Sequence, residues 1–227
     1  MHEAARSIPP DRIAGVVFDC DGVLIDSHRA NIAYYNRIRE IGGLGPMNPE
    51  EEYYTHMHPV RESLIHIFPP TLHGRLKEFA EKVDYGRDIL PMVHLEPGAH
   101  ACLESLSAQG LRLAVFTNRG SRGMGVVLDS FHLRSYFDPV MTAADVKAKP
   151  APDGLWRIAE RWRCPPEDLV FLGDSLLDAM AAEAAGAYFL AYRNPRLQAR
   201  GHVDSFAELE HKLREISLES SSHSMKL

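Results

Sequence analysis

Two carboxylates, Asp19 and Asp21, close an apolar run that begins at Ile13. Side chains two apart on an extended chain point the same way, so these two converge. Like charges held that close repel, and a divalent cation is the usual remedy. Three later stretches offer what such a pair needs: Thr117-Asn118, Lys149, and Asp174 with Asp178. Four acids beside one ammonium carry excess negative charge unless a metal ion joins them. An all-oxygen donor set without His or Cys favours Mg²⁺ over zinc. Lys149 and the Thr117 hydroxyl then suit an anion such as phosphate, with backbone amides helping. Toward a phosphate dianion a bare carboxylate is a poor nucleophile, because the charges repel. Metal and lysine screen that repulsion.

These groups need a frame that gathers them. Ile13 to Phe18 reads as a buried parallel strand, and Gly22 lets the chain turn sharply after the acids. Cys20 alternates away from them into the core. Strands are expected at Leu111–Phe116, Pro139–Met141, Leu169–Leu172 and Ala187–Ala191. Helices are expected at 97–109, 121–131, 152–162, 175–185 and 206–216. This alternation predicts an α/β fold, a Rossmann-like parallel sheet covered on both faces. Ligands in such sheets bind beyond the carboxyl ends of the strands, which is where Asp19, Asp21, Thr117, Asn118, Lys149, Asp174 and Asp178 fall. Residues 28–94 lose the strand pattern. They read as helices at Arg29–Ile41, Glu50–Met57, Val60–Phe68 and Leu72–Ile89. The expected division is a core of 1–25 and 96–227 and a small all-helical inserted cap of 26–95. Linkers near Leu24–Ser27 and Leu95–Pro97 would let the cap close over the site. The first ten residues and the tail from Ser220 read as loose ends.

Composition narrows the class. A chain of 227 residues with 45% hydrophobic content can fill a real core. Its formal net charge of −6, without a basic stripe, argues against a nucleic-acid partner. No apolar run is long enough for a membrane span, and the start lacks a signal core. Three scattered cysteines, Cys20, Cys102 and Cys164, suit a reducing cytoplasm.

The segments Asp19 to Ser27, Thr117-Asn118, Lys149 to Asp153 and Gly173 to Asp178 resemble, in order, the four motifs of the haloacid dehalogenase superfamily. The resemblance runs from about Ile13 to Leu209. An insert just after the first motif is similar to the phosphoglycolate phosphatase and β-phosphoglucomutase branch. The resemblance implies a Mg²⁺-dependent phosphatase of a small phosphorylated metabolite, acting through an aspartyl-phosphate. In that mechanism Asp19 attacks phosphorus, and Asp21 protonates the leaving oxygen and then activates water. Asp19, the Asp21 backbone carbonyl and Asp174 bind the metal. Asp178 supports the metal or orients Lys149. Thr117, Asn118 and Lys149 hold the phosphoryl group. The acid at Asp21 favours phosphoryl transfer over C–halogen or C–P cleavage, because dehalogenases and phosphonoacetaldehyde hydrolases lack it. A phosphomutase, a pyrophosphatase and a non-catalytic binding protein on the same fold remain alternatives.

Several features have plainer readings. Ser175-x-x-Asp178 is also a helix capping box. His56 and His58 lie two apart on an expected helix, face different ways and read as surface histidines. Gly120, Gly123 and Gly125 match no phosphate-loop spacing, and Arg119 and Arg122 read as ordinary surface. The stretch Pro59 to Leu64 loosely resembles the cap segment of sugar-phosphate members, which implies Arg61 as the candidate for the far end of the substrate, a task that suits a guanidinium fork facing a carboxylate or second phosphate. A surface arginine paired with a nearby glutamate is the competing reading.

Overall fold

The apolar run before Asp19 becomes the central strand of a six-stranded, wholly parallel sheet. A computed structural model describes residues 13–224. Strand β1 (Gly15–Phe18) is buried along its whole length and starts two residues later than the apolar run. It lies between β4 (Arg112–Phe116) and β6 (Leu169–Gly173), with Phe18 in register with Val115 and Leu172. The sheet continues to β5 (Val140–Met141) on one side and to β7 (Tyr188–Tyr192) and β8 (Gly201–Val203) on the other. Strand β8 carries no apolar run of its own; only Val203 is buried, and the pairing with β7 recruits it.

Helices α5 (Ala99–Ala108), α6 (Ser121–Ser130), α7 (Asp153–Trp162), α8 (Leu176–Ala185) and α9 (Phe206–Ser224) complete the α/β frame. Two separate apolar clusters result. One joins Phe18, Val115 and Leu172 to Leu103, Leu106, Phe206 and Leu209. The other joins Val17, Phe116 and Phe171 to Leu155, Ile158 and Ala181. Alternate residues of each central strand thus feed opposite faces, the pattern of a sheet buried on both sides. Helix α9 continues to Ser224, past the point where the sequence reads as a loose tail. The expected loose start lies outside the described residues.

Between β1 and α5 the chain holds helices α1 (His28–Ile41), α2 (Pro49–Met57), α3 (Val60–Ile67) and α4 (Leu76–Glu81). Asn48 caps α2 reciprocally with Glu51, and Pro49 sits in its first turn, where a missing N–H costs nothing. The long helix expected over Leu72–Ile89 is instead broken. A 3₁₀ stretch (Pro70–Arg75) leads into α4, and a π-helical turn (Tyr85–Ile89) follows. Asp84 is extended and caps that turn by accepting from the Arg87 N–H, a local alternative to continuing the helix. The two chain crossings into this insert are tied together. Strand β2 (Ile25–Asp26) pairs antiparallel with β3 (His94–Leu95), and the Glu96 N–H donates to the Leu24 carbonyl at 2.9 Å.

Candidate active site

The carboxyl ends of β1, β4 and β6 and the loop after β5 bring Asp19, Asp21, Asp174, Thr117, Asn118 and Lys149 to one cavity, and Asp178 lies fully buried against Lys149. Lys149 is the hub of this site and is almost fully buried. Its Nζ lies 2.7 Å from Asp19 Oδ1 and donates to Asp178 Oδ1 at 2.6 Å. The rings of Phe116 and Phe171, one from each flanking strand, stand 5.6 and 5.7 Å from that ammonium. The Asn118 side chain clasps the Lys149 backbone, donating to its carbonyl (3.1 Å) and accepting from its N–H (2.7 Å). Asn118 therefore sets the position of the lysine loop. Thr117 is fully buried, and its Oγ1 accepts from the Arg119 N–H at 3.1 Å.

Asp178 holds two roles at once. One oxygen meets Lys149, while the other accepts from the Ser175 N–H (3.0 Å) and hydroxyl (2.5 Å). The Ser175 hydroxyl in turn accepts from the Asp178 N–H at 3.2 Å and closes the capping box of α8. The plain and the chemical readings of Ser175-x-x-Asp178 coexist. Gly173 makes this possible, because a Cβ there would stand 2.4 Å from Asp178 Cβ.

Electrostatics identify a site short of positive charge. Burial alone would depress the lysine, yet Asp178 and Asp19 outweigh it and hold the ammonium charged. Burial pushes Asp19 up, Lys149 pulls it back only in part, and Asp178, Asp174 and Asp21 add to the rise. Asp174 is raised to about 7 by burial first and by Asp178 second. Oxygens of Asp19, Asp174 and Asp178 lie within 4.8 Å of one another. Gly22, at φ 77°, completes this cradle: a Cβ there would stand 2.1 Å from Asp174 Oδ2. Hard oxygen donors, crowded acids and too few cations fit Mg²⁺.

Arg119 corrects the sequence reading. It is not surface but 8% exposed, and it forks onto Asp21. Its Nε donates to Asp21 Oδ2 at 3.1 Å and its Nη2 donates to Asp21 Oδ1. Its Nη1 donates to the Tyr85 hydroxyl, on the helical insert. Ser27 and Asn31 also donate to Asp21 Oδ1. Burial pushes the Asp21 carboxyl up, but Arg119 and these donors hold it below its ordinary value. The signal in the sequence was position alone: Arg119 follows Thr117-Asn118 at a strand end. Its partner Tyr85 lies 34 residues away, on an element that periodicity had merged into a longer helix.

The cavity has a volume of about 500 Å³. His56 and His58, read as surface, both line it, as do Arg122, Gly120 and Gly123. The His58 ring stacks on Tyr54 at 3.7 Å, and its Nδ1 lies 2.8 Å from the Tyr54 carbonyl. Arg61 is exposed on α3 and is not among the lining residues, whereas its neighbour Val60 is. Cys20 points into the core as expected, and its backbone N–H donates to Asp19 Oδ1 at 2.7 Å.

Comparison with known proteins identifies the family. The family model described as haloacid dehalogenase-like hydrolase matches residues 16–192. A crystal structure of a HAD-superfamily hydrolase, subfamily IA, variant 1, from Geobacter sulfurreducens is 37% identical. It covers 88% of this chain and 96% of its own, with a TM-score of 0.72. The phosphoglycolate phosphatase of Nitrosospira multiformis is 40% identical over 93 residues, 40% of this chain and 41% of that protein. That of Escherichia coli K12 is 36% identical over 103 residues, 45% of this chain and 41% of that protein. The match thus spans about two fifths of those curated relatives. With motifs, sheet order and acid cluster in agreement, the chain belongs to the haloacid dehalogenase-like hydrolases.

Proposed function

We propose that the protein is a Mg²⁺-dependent phosphatase that cleaves a phosphate monoester of a small metabolite through an aspartyl-phosphate. The observation that carries this reading is the buried cluster in which Lys149 lies 2.7 Å from Asp19 and 2.6 Å from Asp178, beside Asp174. Asp19 attacks phosphorus, the bond to the leaving oxygen breaks, and Asp21 gives that oxygen a proton. Water then attacks the acyl phosphate, Asp21 takes the water's proton, and Asp19 is released with inorganic phosphate. Lys149 and the Thr117 O–H hold the phosphoryl oxygens, with Asn118 placing the lysine. Asp19, the Asp21 backbone carbonyl and Asp174 hold Mg²⁺, and Asp178 anchors Lys149 beside them. Bound there, the ion supplies the positive charge that screens nucleophile from phosphate.

Asp21 has a further requirement. Arg119 holds it as the anion, the form that accepts water's proton in the second half of the reaction. Donation in the first half requires that the fork open. Of the described residues, 26–95 form the cap domain and 13–25 with 96–224 the catalytic core. The β2–β3 ribbon is the hinge between them. No helix of the described residues is long and apolar enough to cross a membrane. The curated relatives are named for phosphoglycolate, and sugar phosphates suit the same chemistry.

The test is hydrolysis of p-nitrophenyl phosphate with Mg²⁺ and with chelator. The expected result is turnover only with the ion, and an acid-stable, hydroxylamine-sensitive phosphoenzyme on rapid quench. Full activity in chelator, or undiminished activity in Asp19→Asn, would end the aspartyl-phosphate reading.

A further inference from the structure

We propose that the alcohol portion of the substrate is uncharged and largely apolar and carries a ring, and that the helical insert selects it. This rests on the phosphatase reading above and adds the substrate class. Size is the first reason. A cavity of about 500 Å³ falls within the ~300–1,000 Å³ of sites that bury most of a drug-sized molecule. A glycolyl group would leave most of that space to water.

The walls are the second reason. The insert contributes Tyr34, Tyr35, Met57, Val60, Ala80 and Val83 to the lining. The Tyr34 and Tyr85 rings meet at 6.1 Å and 65°, a corner whose faces and edges suit another ring. Met57 adds a side chain that adapts to an irregular neighbour.

Charge is the third reason. The buried cations at the cavity floor are already paired, Lys149 with Asp19 and Asp178, Arg119 with Asp21. Among the described residues the insert brings no Lys or Arg to the lining, and Arg61 lies outside it. Burial and the neighbouring His28 hold His56 below the usual imidazole value, which leaves it without charge near neutrality. Arg122, exposed on α6, is the remaining cation at the cavity. Asn31, Thr55, His56 and His58 give the insert's wall a few polar groups, but against Tyr34, Tyr35, Met57, Val60, Ala80 and Val83 a carboxylate or polyol loses water without gaining partners. To bind Arg119 it would first have to displace Asp21.

The test compares kcat/KM in Mg²⁺ for 2-phenylethyl phosphate, ethyl phosphate and 2-phosphoglycolate. All three are alkyl esters, and leaving-group acidity, where it differs, favours phosphoglycolate. The expected result is that 2-phenylethyl phosphate exceeds each of the others by at least ~10-fold. Val60→Asp places a carboxylate in the wall at the first turn of α3, where an acid suits the helix dipole. It should lower kcat/KM for 2-phenylethyl phosphate by ~10-fold more than it lowers that for ethyl phosphate. Met57→Ala should move the two esters in the same unequal way. A preference for phosphoglycolate, or equal losses on both esters in both variants, would overturn the inference while leaving the phosphatase reading intact. No turnover of any of the three would overturn the phosphatase reading itself, and this inference with it.

Discussion

The two buried cation–carboxylate systems of the site differ in where their partners come from. Lys149, Asp19 and Asp178 all stand at strand ends or the adjoining loop and helix of the α/β core. The lysine's backbone is clasped by Asn118 and its ammonium flanked by two phenylalanine rings. Arg119 and Asp21 also sit on the core, but the third arm of the guanidinium reaches Tyr85 on the insert. Every partner named for the first system lies on the core. The second is complete only while the insert is in place. A nucleophile and its phosphate-binding lysine gain from rigidity, because positioning lowers the barrier. An acid–base that must gain and lose a proton gains from a partner that can be withdrawn.

This contrast can be broken by experiment. Asp19→Asn keeps the shape and removes the nucleophile, and kcat should fall by at least ~10³-fold in steady-state assays. Arg119→Lys replaces a two-pronged donor with a point charge. Losing a charge-assisted bond of ~1.5–3 kcal/mol corresponds to about 10–100-fold, and the loss should appear in kcat more than in KM. A variant within about twofold of wild type would make the fork a resting contact without a catalytic role.

Metal binding sharpens the core side of the comparison. Asp174, raised to about 7, must shed a proton to hold an ion. Below that value proton and metal compete, so Mg²⁺ affinity should rise about 10-fold between pH 6 and 8. The ion-free protein should show the opposite trend. A raised carboxyl favours the fold at low pH, and that contribution is lost as pH climbs from about 4 through about 7. Thermal melts with and without Mg²⁺ test both signs: the shift due to the ion should be larger at pH 8 by ~2–4 °C. A shift independent of pH would remove Asp174 from the metal site.

On the insert side, Tyr85→Phe removes one hydrogen bond to a guanidinium that keeps its others. A loss of ~0.5–1.5 kcal/mol predicts about 2–10-fold in kcat. If Arg119→Lys and Tyr85→Phe are additive in the double variant, core and insert are not coupled through this contact. The smallest effect is expected of Arg61→Ala. Arg61 is exposed and outside the cavity lining, so kcat/KM should stay within about twofold. A 10-fold loss confined to a substrate with a distal anion would return Arg61 to a recognition role.

Much of the core and its acids could be read from the chain alone. An apolar strand ending in Asp19-x-Asp21-Gly22 states its own position, because period and side-chain alternation are local properties. The same holds for Ser175-x-x-Asp178, where one carboxylate serves cap and lysine. Parallel pairing then brings such strand ends to one edge without further information. Three kinds of feature escaped that reading. Strand β8 has no pattern of its own and exists through its pairing with β7. The helix expected over Leu72–Ile89 breaks where the Asp84 side chain competes for backbone N–H groups. Arg119 looked like any exposed arginine, since burial of a charge depends on partners distant in sequence. Asp21 is 98 residues from it and Tyr85 34. Local chemistry wrote Asp19, Asp21, Lys149, Asp174 and Asp178 into the chain. Whether Arg119, His56 and the tyrosines of the insert face solvent or substrate depends on how one packed unit lies against another, and no local pattern encodes that.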